Sequence, residues 1–263
     1  MSSVREILDK VAKGSLSATE AEKILQLLAI DEIGYIAKLD GNRSLRKGIP
    51  EIILAEGKTP DDVAEISKRM VAKYGRTIVS RCEKEHEAAI RKVLEHADVK
   101  VENNEKAKIV IAKNKDFSVK PSGGRIGLLT AGTSDIPVAE EAKLIAQEMG
   151  CTVKAIYDVG VAGIHRLLEP IKEIIADDAD VIVVAAGREG ALASVVCGLV
   201  DVPVIAVPTS NSYGFGAKGV STLMAMLQSC SLGLAVVNID SGVAAGAVAA
   251  LIANRAAKFR TQA

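Results

Sequence analysis

The apolar run VIVVAAG at residues 181–187 is followed at once by the polar turn Arg188-Glu189-Gly190. An uninterrupted Val- and Ala-rich run is typical of a strand that is buried on both faces of a parallel sheet. Four further strands are predicted in the second half of the chain, at residues 125–129, 152–157, 202–207 and 234–239. Helical patterns separate and follow them, at residues 137–149, 163–176, 190–200, 219–229 and from 242. This alternation predicts an α/β domain over residues 124–260, with an open parallel sheet, flanking helices and right-handed crossovers.

Two of the predicted helices carry a proline. Pro137 stands where the first of them begins, which suits a residue that has no N–H to donate. Pro170 lies inside the helix predicted over residues 163–176, where it removes one backbone hydrogen bond. We therefore expect Pro170 to kink or split that helix.

The first half of the chain has a different composition. Before the turn-rich stretch Pro-Ser-Gly-Gly at residues 121–124 lie 23 of the 33 basic residues but only 6 of the 22 glycines. This contrast predicts a linker there and a smaller, mixed α/β domain over residues 1–120.

Local signals within residues 1–120 mark two helix starts and one hairpin. Ser17 and Glu20 have the spacing of a capping box, and Thr59 followed by Pro60 reads as an N-cap with proline at the first helical position. The stretch VKVENNEKAKIVIA predicts a hairpin that turns at Asn103-Asn104.

Charge and composition exclude several functions. The 33 basic residues are balanced by 33 acidic ones, and aromatic residues make up 3% of the chain, so neither nucleic acid nor a membrane surface is an expected partner. No apolar run approaches the roughly 20 residues that span a bilayer. The four cysteines form no C-x-x-C pair and no closed set of metal ligands is recognisable, which favours reduced thiols and a cytoplasmic location.

Gly- and Ser-rich stretches follow four of the predicted strands. They are TAGTSD (130–135), DVGVAG (158–163), AGREG (186–190) and PTSNSYGFG (208–216). Carboxyl ends of parallel strands meet at one edge of the sheet, where small residues and helix N-termini favour anions. Each stretch alone is equally compatible with a tight turn, but the four together predict a site for a phosphorylated small molecule.

Four ionisable residues are predicted to lie at this edge. Arg188-Glu189 follows the strand at residues 181–187, and either a functional carboxylate or a solvated helix start fits Glu189. Asp135 could cap a helix, bind the ligand, or do both. His165 lies in the first turn of its helix and could contact the ligand or simply face solvent.

The cysteines differ in their surroundings. Cys151 and Cys197 lie in apolar segments and are predicted to be core residues. Cys230 lies in the polar segment Gln-Ser-Cys-Ser and could be a nucleophile. However, a helix-to-strand turn lies at the amino edge of a parallel sheet, opposite the ligand edge, and a helix C-terminus disfavours a thiolate. Cys230 can therefore serve the site only if a second subunit supplies the rest or the last strand departs from the simple order.

Several stretches of the chain together resemble one known family. They are RSLRKGIPEIILAEGKTP (43–60), GTSD (132–135), DVGVAGIHRLL (158–168), AGREGALASVVCGLVDVPVIAVPTS (186–210), GVSTLMAMLQSC (219–230) and VVNIDSG (236–242). The chain resembles LarB, the pyridinium-biscarboxylic acid mononucleotide synthase of nickel-pincer cofactor assembly, whose C-terminal domain is related to the aminoimidazole ribonucleotide (AIR) carboxylases. The likeness covers nearly the whole chain, and one departure is Arg188, where the family usually has Met.

The resemblance implies an activity on nicotinic acid adenine dinucleotide. The enzyme would add CO2, from bicarbonate, to the pyridinium ring and cleave the diphosphate to release AMP. Cys230 would add to the ring, and Glu189 would remove the ring proton. A magnesium ion held by the substrate, not by a protein cage, is expected for the diphosphate step. A homo-oligomer with its site at a subunit interface is also expected.

The resemblance also implies that Asp135, His165 and the Gly-rich loops bind the substrate. The full set of predicted substrate-binding residues adds charged positions beside these loops: Gly132, Thr133, Ser134, Asp135, Gly160, Gly163, His165, Gly187, Arg188, Gly190, Ala191, Lys218 and Asp240. Lys218, like Arg43 and Arg46 in the first half, could meet phosphate or carboxylate groups, and a solvated surface position fits each of these three equally well.

Two other functions stay open at this point. A purine-pathway AIR carboxylase or mutase is the nearest, although such enzymes need no nucleophilic cysteine and usually lack the long N-terminal domain. A regulatory protein that binds a nucleotide without catalysis is the other, and under it Cys230 and Glu189 would be dispensable.

Overall fold

The computed structural model describes residues 4–28, 31–33, 37–39 and 43–260 of the chain. The chain folds into two compact units. The first comprises the residues up to Glu102 together with Val110–Phe117, and the second comprises Asn103–Ile109 and everything from Ser118 onward.

The first unit contains a two-stranded and a four-stranded sheet. Its strands are β1 (Asp31–Ile33), β2 (Ala37–Leu39), β3 (Ile53–Leu54), β4 (Arg76–Ser80), β5 (Val99–Asn104) and β6 (Ile109–Asn114). Its helices are α1 (Val4–Ala12), α2 (Ala18–Leu28), α3 (Arg43–Lys47), α4 (Pro60–Tyr74) and α5 (Lys84–Leu94). The larger sheet has the order β3-β4-β6-β5, in which β4 is parallel to β3 and antiparallel to β6. The predicted mixed α/β character is therefore confirmed.

Both predicted helix starts of the first unit are confirmed. The Ser17 N–H donates to the Glu20 carboxylate over 3.0 Å and the Glu20 N–H donates to the Ser17 hydroxyl over 3.2 Å, so the capping box opens α2. The Thr59 hydroxyl accepts from the Asp62 N–H over 3.2 Å, and Pro60 is the first residue of α4.

The predicted hairpin is present, but its turn lies later than expected. β5 continues through Asn104, and residues 105–108 form the turn. The side-chain oxygen of Asn104 accepts from the Ala107 N–H over 3.0 Å, and Lys108 takes a φ of 49°. The prediction of a turn at Asn103-Asn104 was wrong because this asparagine closes the turn with its side chain instead of occupying its centre.

The second unit contains a sheet of five strands, all of them parallel. The strands are β7 (Arg125–Thr130), β8 (Thr152–Ile156), β9 (Val181–Ala186), β10 (Val204–Pro208) and β11 (Leu234–Val236). The helices are α6 (Ile136–Glu148), α7 (His165–Ala176), α8 (Ala191–Cys197), α9 (Val220–Leu227) and α10 (Gly242–Arg260). The order is β11-β10-β9-β7-β8, so the chain reverses direction across the sheet between β7 and β9. This confirms the predicted open parallel sheet, and β7 and β9 flank its topological switch point.

Three predictions need correction. Pro170 is the sixth of the twelve residues of α7 and does not split the helix, because only one interior hydrogen bond is lost there. α8 ends at Cys197, not at residue 200, where Gly198 caps it by donating to the Ser194 carbonyl. β11 ends at Val236, not at residue 239, because the Asn238 side chain takes up the Ile239 N–H.

The helices α6 and α10 pack closely on one side of this sheet. A Cβ atom at Gly246 of α10 would lie 2.3 Å from the carbonyl oxygen of Ala142 in α6, closer than any side chain allows. Ala249, Ala250 and Ala253 continue the buried face of α10, and each is fully buried. Small residues therefore fix the distance between the two helices.

No helix within the described ranges is long and apolar enough to cross a membrane.

The substitution Gly246→Ala should destabilise the protein. Alanine in a helix interior is normally better than glycine by about 0.5–1 kcal/mol, but here its methyl group would collide with the backbone of α6. We expect a net loss of about 1–3 kcal/mol in the free energy of unfolding, the usual result of overpacking, measured by urea titration. Val248→Ala, on the exposed side of α10, is the matched control and should change stability by less than about 0.5 kcal/mol. An unchanged or raised stability of Gly246→Ala would contradict the close packing.

Candidate active site

A cavity of about 260 Å³ lies at the carboxyl ends of β7, β8 and β9. Its walls are the loops that follow these strands, the start of α8 and one residue of the loop after β10. The lining residues are Ala131, Gly132, Ser134, Asp135, Gly160, Val161, Ala162, Arg166, Ala186, Gly187, Arg188, Glu189, Ala191, Leu192 and Asn211. The cavity therefore sits at the switch point of the sheet, where parallel α/β folds bind ligands.

Asp135 ties two of these loops together. It is 3% exposed, its Oδ2 accepts from the Gly132 N–H over 2.9 Å, and its Oδ1 accepts from the Thr209 hydroxyl over 2.6 Å. The Asn211 amide donates to the Ser134 carbonyl over 2.6 Å and adds a second link between the same loops. The buried carboxylate is thus satisfied by hydrogen bonds alone, and it orders the loops after β7 and β10.

Gly187 has to be a glycine because of this arrangement. A Cβ atom there would lie 2.9 Å from the Thr209 hydroxyl and 3.3 Å from the Asp135 carboxylate. The backbone after β9 therefore passes directly over the Asp135–Thr209 hydrogen bond. Any larger residue would push apart the two groups that order the site.

The turn after Gly187 exposes two charged side chains. Arg188 and Gly190 both take left-handed backbone angles, with φ of 53° and 70°, and the Gly190 N–H donates to the Gly187 carbonyl over 2.9 Å. The Thr222 hydroxyl donates to the Arg188 carbonyl. This tight turn leads from β9 directly into α8 and leaves Arg188 and Glu189 exposed at the cavity.

The loop after β8 is fixed by Thr130 and closed by an ion pair. The Thr130 hydroxyl accepts from the Asp158 N–H over 2.9 Å, and Asp158 takes a φ of 59°. The Asp158 carboxylate pairs with the Arg166 guanidinium at 3.1 Å. A Cβ atom at Gly160 would lie 2.6 Å from the Ala131 carbonyl oxygen, so this loop also needs a glycine at its closest approach.

A polar network stands just behind the same loop. The Glu140 carboxylate accepts hydrogen bonds from the Tyr157 hydroxyl, from the Lys143 ammonium at 3.0 Å and from the Asn104 amide at 3.1 Å. Burial alone would raise the pKa of Glu140, but these hydrogen bonds outweigh it and lower the pKa below its usual value. Burial and the contact with Glu140 raise the pKa of the Tyr157 phenol. Tyr157 is thereby held in place directly before Asp158.

Eight of the fifteen predicted site residues line this cavity. They are Gly132, Ser134, Asp135, Gly160, Gly187, Arg188, Glu189 and Ala191. Thr133, Gly163 and Gly190 belong to the same loops without lining it, and His165 is the exposed first residue of α7.

Lys218 and Asp240 are not among the residues that line the cavity. Lys218 is an exposed residue with a φ of 54° in the turn before α9. The Asp240 carboxylate accepts from the Ser210 N–H over 2.8 Å and supports the loop after β10 from its far side. In the first unit, the Arg43 guanidinium pairs with Glu51 at 3.3 Å.

Cys230 lies away from the cavity of its own chain. It is exposed and follows α9, and its neighbours hold the chain against the far end of α8. Ser229 accepts from the Ser194 hydroxyl over 2.8 Å, and the Ser231 hydroxyl donates to the Ser194 carbonyl over 2.9 Å. The segment therefore stands at the amino edge of the sheet, as the helix-to-strand position predicted.

The other three thiols are buried. Cys82, Cys151 and Cys197 all lie in the core, and burial raises the pKa of each. The pKa of Cys82 rises to about 12, which leaves its thiol protonated at any physiological pH. The predicted core positions of Cys151 and Cys197 are confirmed, and Cys230 is the exposed cysteine of the described chain.

Several residues of the site were not predicted from the sequence. Thr130 is the last residue of β7 and Thr209 directly follows β10, and a threonine at the end of a buried strand is a signal that could have identified them. The sequence analysis predicted that the first turn of α7 contacts the ligand, but it named His165 and not its neighbour Arg166, which lines the cavity. Asn211 and Tyr213 lie in a Gly- and Ser-rich loop in which only tertiary contacts single out particular side chains.

The arrangement suits an anionic ligand that is processed by an acid or a base. Small residues allow the ligand close to the backbone, and Glu189 offers a carboxylate that no described ion pair occupies. Both oxygens of Asp135 are already hydrogen-bonded, so this carboxylate orders the loops. Among the described residues, no group of three or more His, Cys, Asp or Glu side chains is placed to hold a metal ion.

Two protein-family models match the chain. A LarB/PurE-like N-terminal domain matches residues 30–115, and an AIR carboxylase domain matches residues 125–262. The chain is 46% identical to an uncharacterized protein of Methanocaldococcus jannaschii over 95% of this chain and 96% of that protein.

Two enzymes match about half of the chain. The chain is 29% identical to the N5-carboxyaminoimidazole ribonucleotide mutase of Pyrococcus horikoshii over 48% of this chain and 70% of that enzyme. It is also 29% identical to the N5-carboxyaminoimidazole ribonucleotide mutase of Thermotoga maritima, over 49% of this chain and 74% of that enzyme. The domains support a carboxylase-type enzyme of the AIR carboxylase and mutase superfamily. The chain belongs to the LarB family, in which a LarB/PurE-like N-terminal domain precedes an AIR carboxylase domain.

Proposed function

We propose that the protein carboxylates the pyridinium ring of nicotinic acid adenine dinucleotide and cleaves its diphosphate. The products would be AMP and the pyridinium-biscarboxylic acid mononucleotide from which a nickel-pincer cofactor is made. The observation that carries this proposal is the LarB-type N-terminal match, joined in one chain to a switch-point cavity lined by Glu189.

The carbon chemistry needs a nucleophile and a base. A pyridinium carbon is electrophilic, so it cannot attack CO2 until the ring gains electrons. Addition of the Cys230 thiolate to a ring carbon gives a neutral enamine, whose β-carbon forms the new bond to CO2. Glu189 then takes the proton from that carbon, and the electron pair left behind expels the thiolate and restores the aromatic ring.

The diphosphate step needs water and charge neutralisation. Water adds to one phosphorus atom, and the bridging oxygen leaves with the other phosphate. A magnesium ion carried by the diphosphate would neutralise its charge. Because both Asp135 oxygens are engaged and no other ligand cluster lies in the described part of the chain, such an ion would be held mainly by the substrate.

If Cys230 is the nucleophile, a second copy of the chain would have to supply it. Within one chain the thiol lies at the amino edge of the sheet and Glu189 at the carboxyl edge. The cavity of about 260 Å³ is also smaller than the ~300–1,000 Å³ of sites that enclose a drug-sized ligand, so part of a dinucleotide must extend out of it. A neighbouring copy that covers this opening could bring its own Cys230 to the ring.

The surface around Cys230 suits such a contact. Val220, Met224 and Leu227 form an exposed apolar stripe on α9, and Leu232 beyond Cys230 is 95% exposed. Residues 220–232 contain no charged side chain, although a quarter of the chain is charged. Apolar, uncharged surface of this kind is typical of an interface core, and a chain without net charge does not repel its own copies.

A second candidate function is supported by the two mutases. Under it the same cavity would act on an aminoimidazole ribonucleotide, and neither Cys230 nor the N-terminal domain would be needed for the chemistry. The N-terminal match favours the dinucleotide, because the mutase matches cover only about half of this chain.

The substitutions Cys230→Ala and Glu189→Gln should each abolish carboxylation. The purified protein is incubated with nicotinic acid adenine dinucleotide, bicarbonate and magnesium, and AMP and the doubly carboxylated mononucleotide are measured by mass spectrometry. Loss of the nucleophile should reduce the rate by roughly 10⁴-fold or more, and loss of the base by roughly 10²–10⁴-fold.

Matched controls separate chemistry from folding. Cys151→Ala removes a thiol that contacts Asn254 in the core, and Glu169→Gln removes an exposed carboxylate that pairs with Lys172. Both should keep the activity. If the wild-type protein leaves the dinucleotide intact but converts an aminoimidazole ribonucleotide, the mutase function replaces the proposed one.

Mixed oligomers should show whether the site is shared between copies. Cys230→Ala and Glu189→Gln chains carrying different tags are co-expressed, and only assemblies that carry both tags are assayed. In a mixed pair, one of the two shared sites regains both groups, so about half of the wild-type activity per site should return. Activity no higher than that of either parent would mean that both groups come from the same chain.

A further inference from the structure

The cavity is lined by two basic side chains, and one of them is already paired with a carboxylate. These two side chains are Arg166 and Arg188. The Arg166 guanidinium is engaged by the Asp158 carboxylate at 3.1 Å. In the part of the chain that the structure describes, no carboxylate lies within ion-pair distance of Arg188. Arg188 is therefore the lining cation that has no carboxylate partner, in a site whose proposed substrate carries a carboxylate and two phosphates.

An aromatic ring holds the Arg188 side chain in place. The centre of the Arg188 guanidinium lies 3.7 Å from the centroid of the Tyr213 ring. In such a stack the ring covers one face of the guanidinium, and the N–H groups at its edge stay available for hydrogen bonds. A planar, oriented set of donors is the arrangement that binds a carboxylate or a phosphate through two hydrogen bonds.

Both partners of the stack stand on fixed backbone. Arg188 has a left-handed backbone conformation, and its own carbonyl accepts a hydrogen bond from the Thr222 hydroxyl. Next to Tyr213, the Ser212 hydroxyl donates to the Gly216 carbonyl over 3.1 Å and accepts from the Gly219 N–H over 2.9 Å. The stack therefore joins the loops after β9 and β10, each of which is held by hydrogen bonds of its own backbone.

We propose that the Arg188 guanidinium, stacked on Tyr213, is an oxyanion-binding subsite that selects the anionic form of the substrate. The oxyanion is either the ring carboxylate or a phosphate of the substrate, and both offer the same pair of acceptor oxygens. This inference rests on the proposed function for the identity of the substrate, but the subsite itself can be tested by binding alone.

The test measures binding to the wild-type protein and to Arg188→Met by isothermal titration calorimetry. Nicotinic acid riboside and nicotinamide riboside differ in the carboxylate, and AMP and adenosine differ in the phosphate. Loss of a charged hydrogen bond should weaken binding of one anionic probe by about tenfold or more and leave its neutral counterpart within about twofold. The pair that responds identifies the source of the oxyanion.

Tyr213 offers a second, independent pair of variants. Tyr213→Phe keeps the ring and should bind the responding probe like the wild type, whereas Tyr213→Leu removes the stack and should weaken it by about threefold to tenfold. Lys172→Met removes a distant surface charge on α7 and controls for the change in net charge.

The outcomes separate this subsite from the proposed reaction. Equal weakening of anionic and neutral probes by Arg188→Met, or no binding of either anionic probe to the wild type, would overturn the subsite. If Arg188→Met carboxylates the dinucleotide with an unchanged kcat/KM, the subsite is also wrong but the proposed function stands. If the selective loss of binding is found and the dinucleotide is never converted, the subsite stands and the proposed function is wrong.

Discussion

The candidate site depends on one buried carboxylate. Asp135 bridges the loop after β7 to the loop after β10, and the backbone of Gly187 lies directly over that bridge. A buried carboxylate left with an unmade hydrogen bond would cost about 1–3 kcal/mol or more, so the three loops must keep their mutual positions for the charge to be tolerated. The cavity exists because of the switch point of the sheet, and the hydrogen bonds of Asp135 fix the positions of the loops that line it.

The same physics explains which parts of the molecule could be predicted. The central strands β7, β9 and β10 were predicted because strands buried on both faces leave apolar runs. The loops after the strands were predicted because the carboxyl ends of parallel strands meet at one edge. The ends of α8 and β11 were missed because Gly198 and Asn238 act through local hydrogen bonds that compete with the regular pattern. Tyr213 was missed because its role depends on Arg188, 25 residues earlier in the chain.

Cys230 illustrates how topology limits chemistry within one chain. A parallel sheet places strand-to-helix loops at one edge and helix-to-strand loops at the other, and the serine contacts around Cys230 hold it to the second edge. No adjustment of a loop can carry the thiol across the sheet without breaking those contacts. A nucleophile at this position is therefore consistent with catalysis only in an assembly, and the uncharged apolar surface beside it provides a physical reason for one to form.

The pairing of the charged side chains around the cavity determines which of them can meet a ligand. Both oxygens of Asp135 accept hydrogen bonds and Asp158 pairs with Arg166, so neither carboxylate is paired with Arg188. Because each of these two carboxylates has its own donor, the Arg188 guanidinium that stacks on Tyr213 is left to pair with a ligand. Glu189, the next residue, can then act on a substrate whose negative charge is already paired with Arg188.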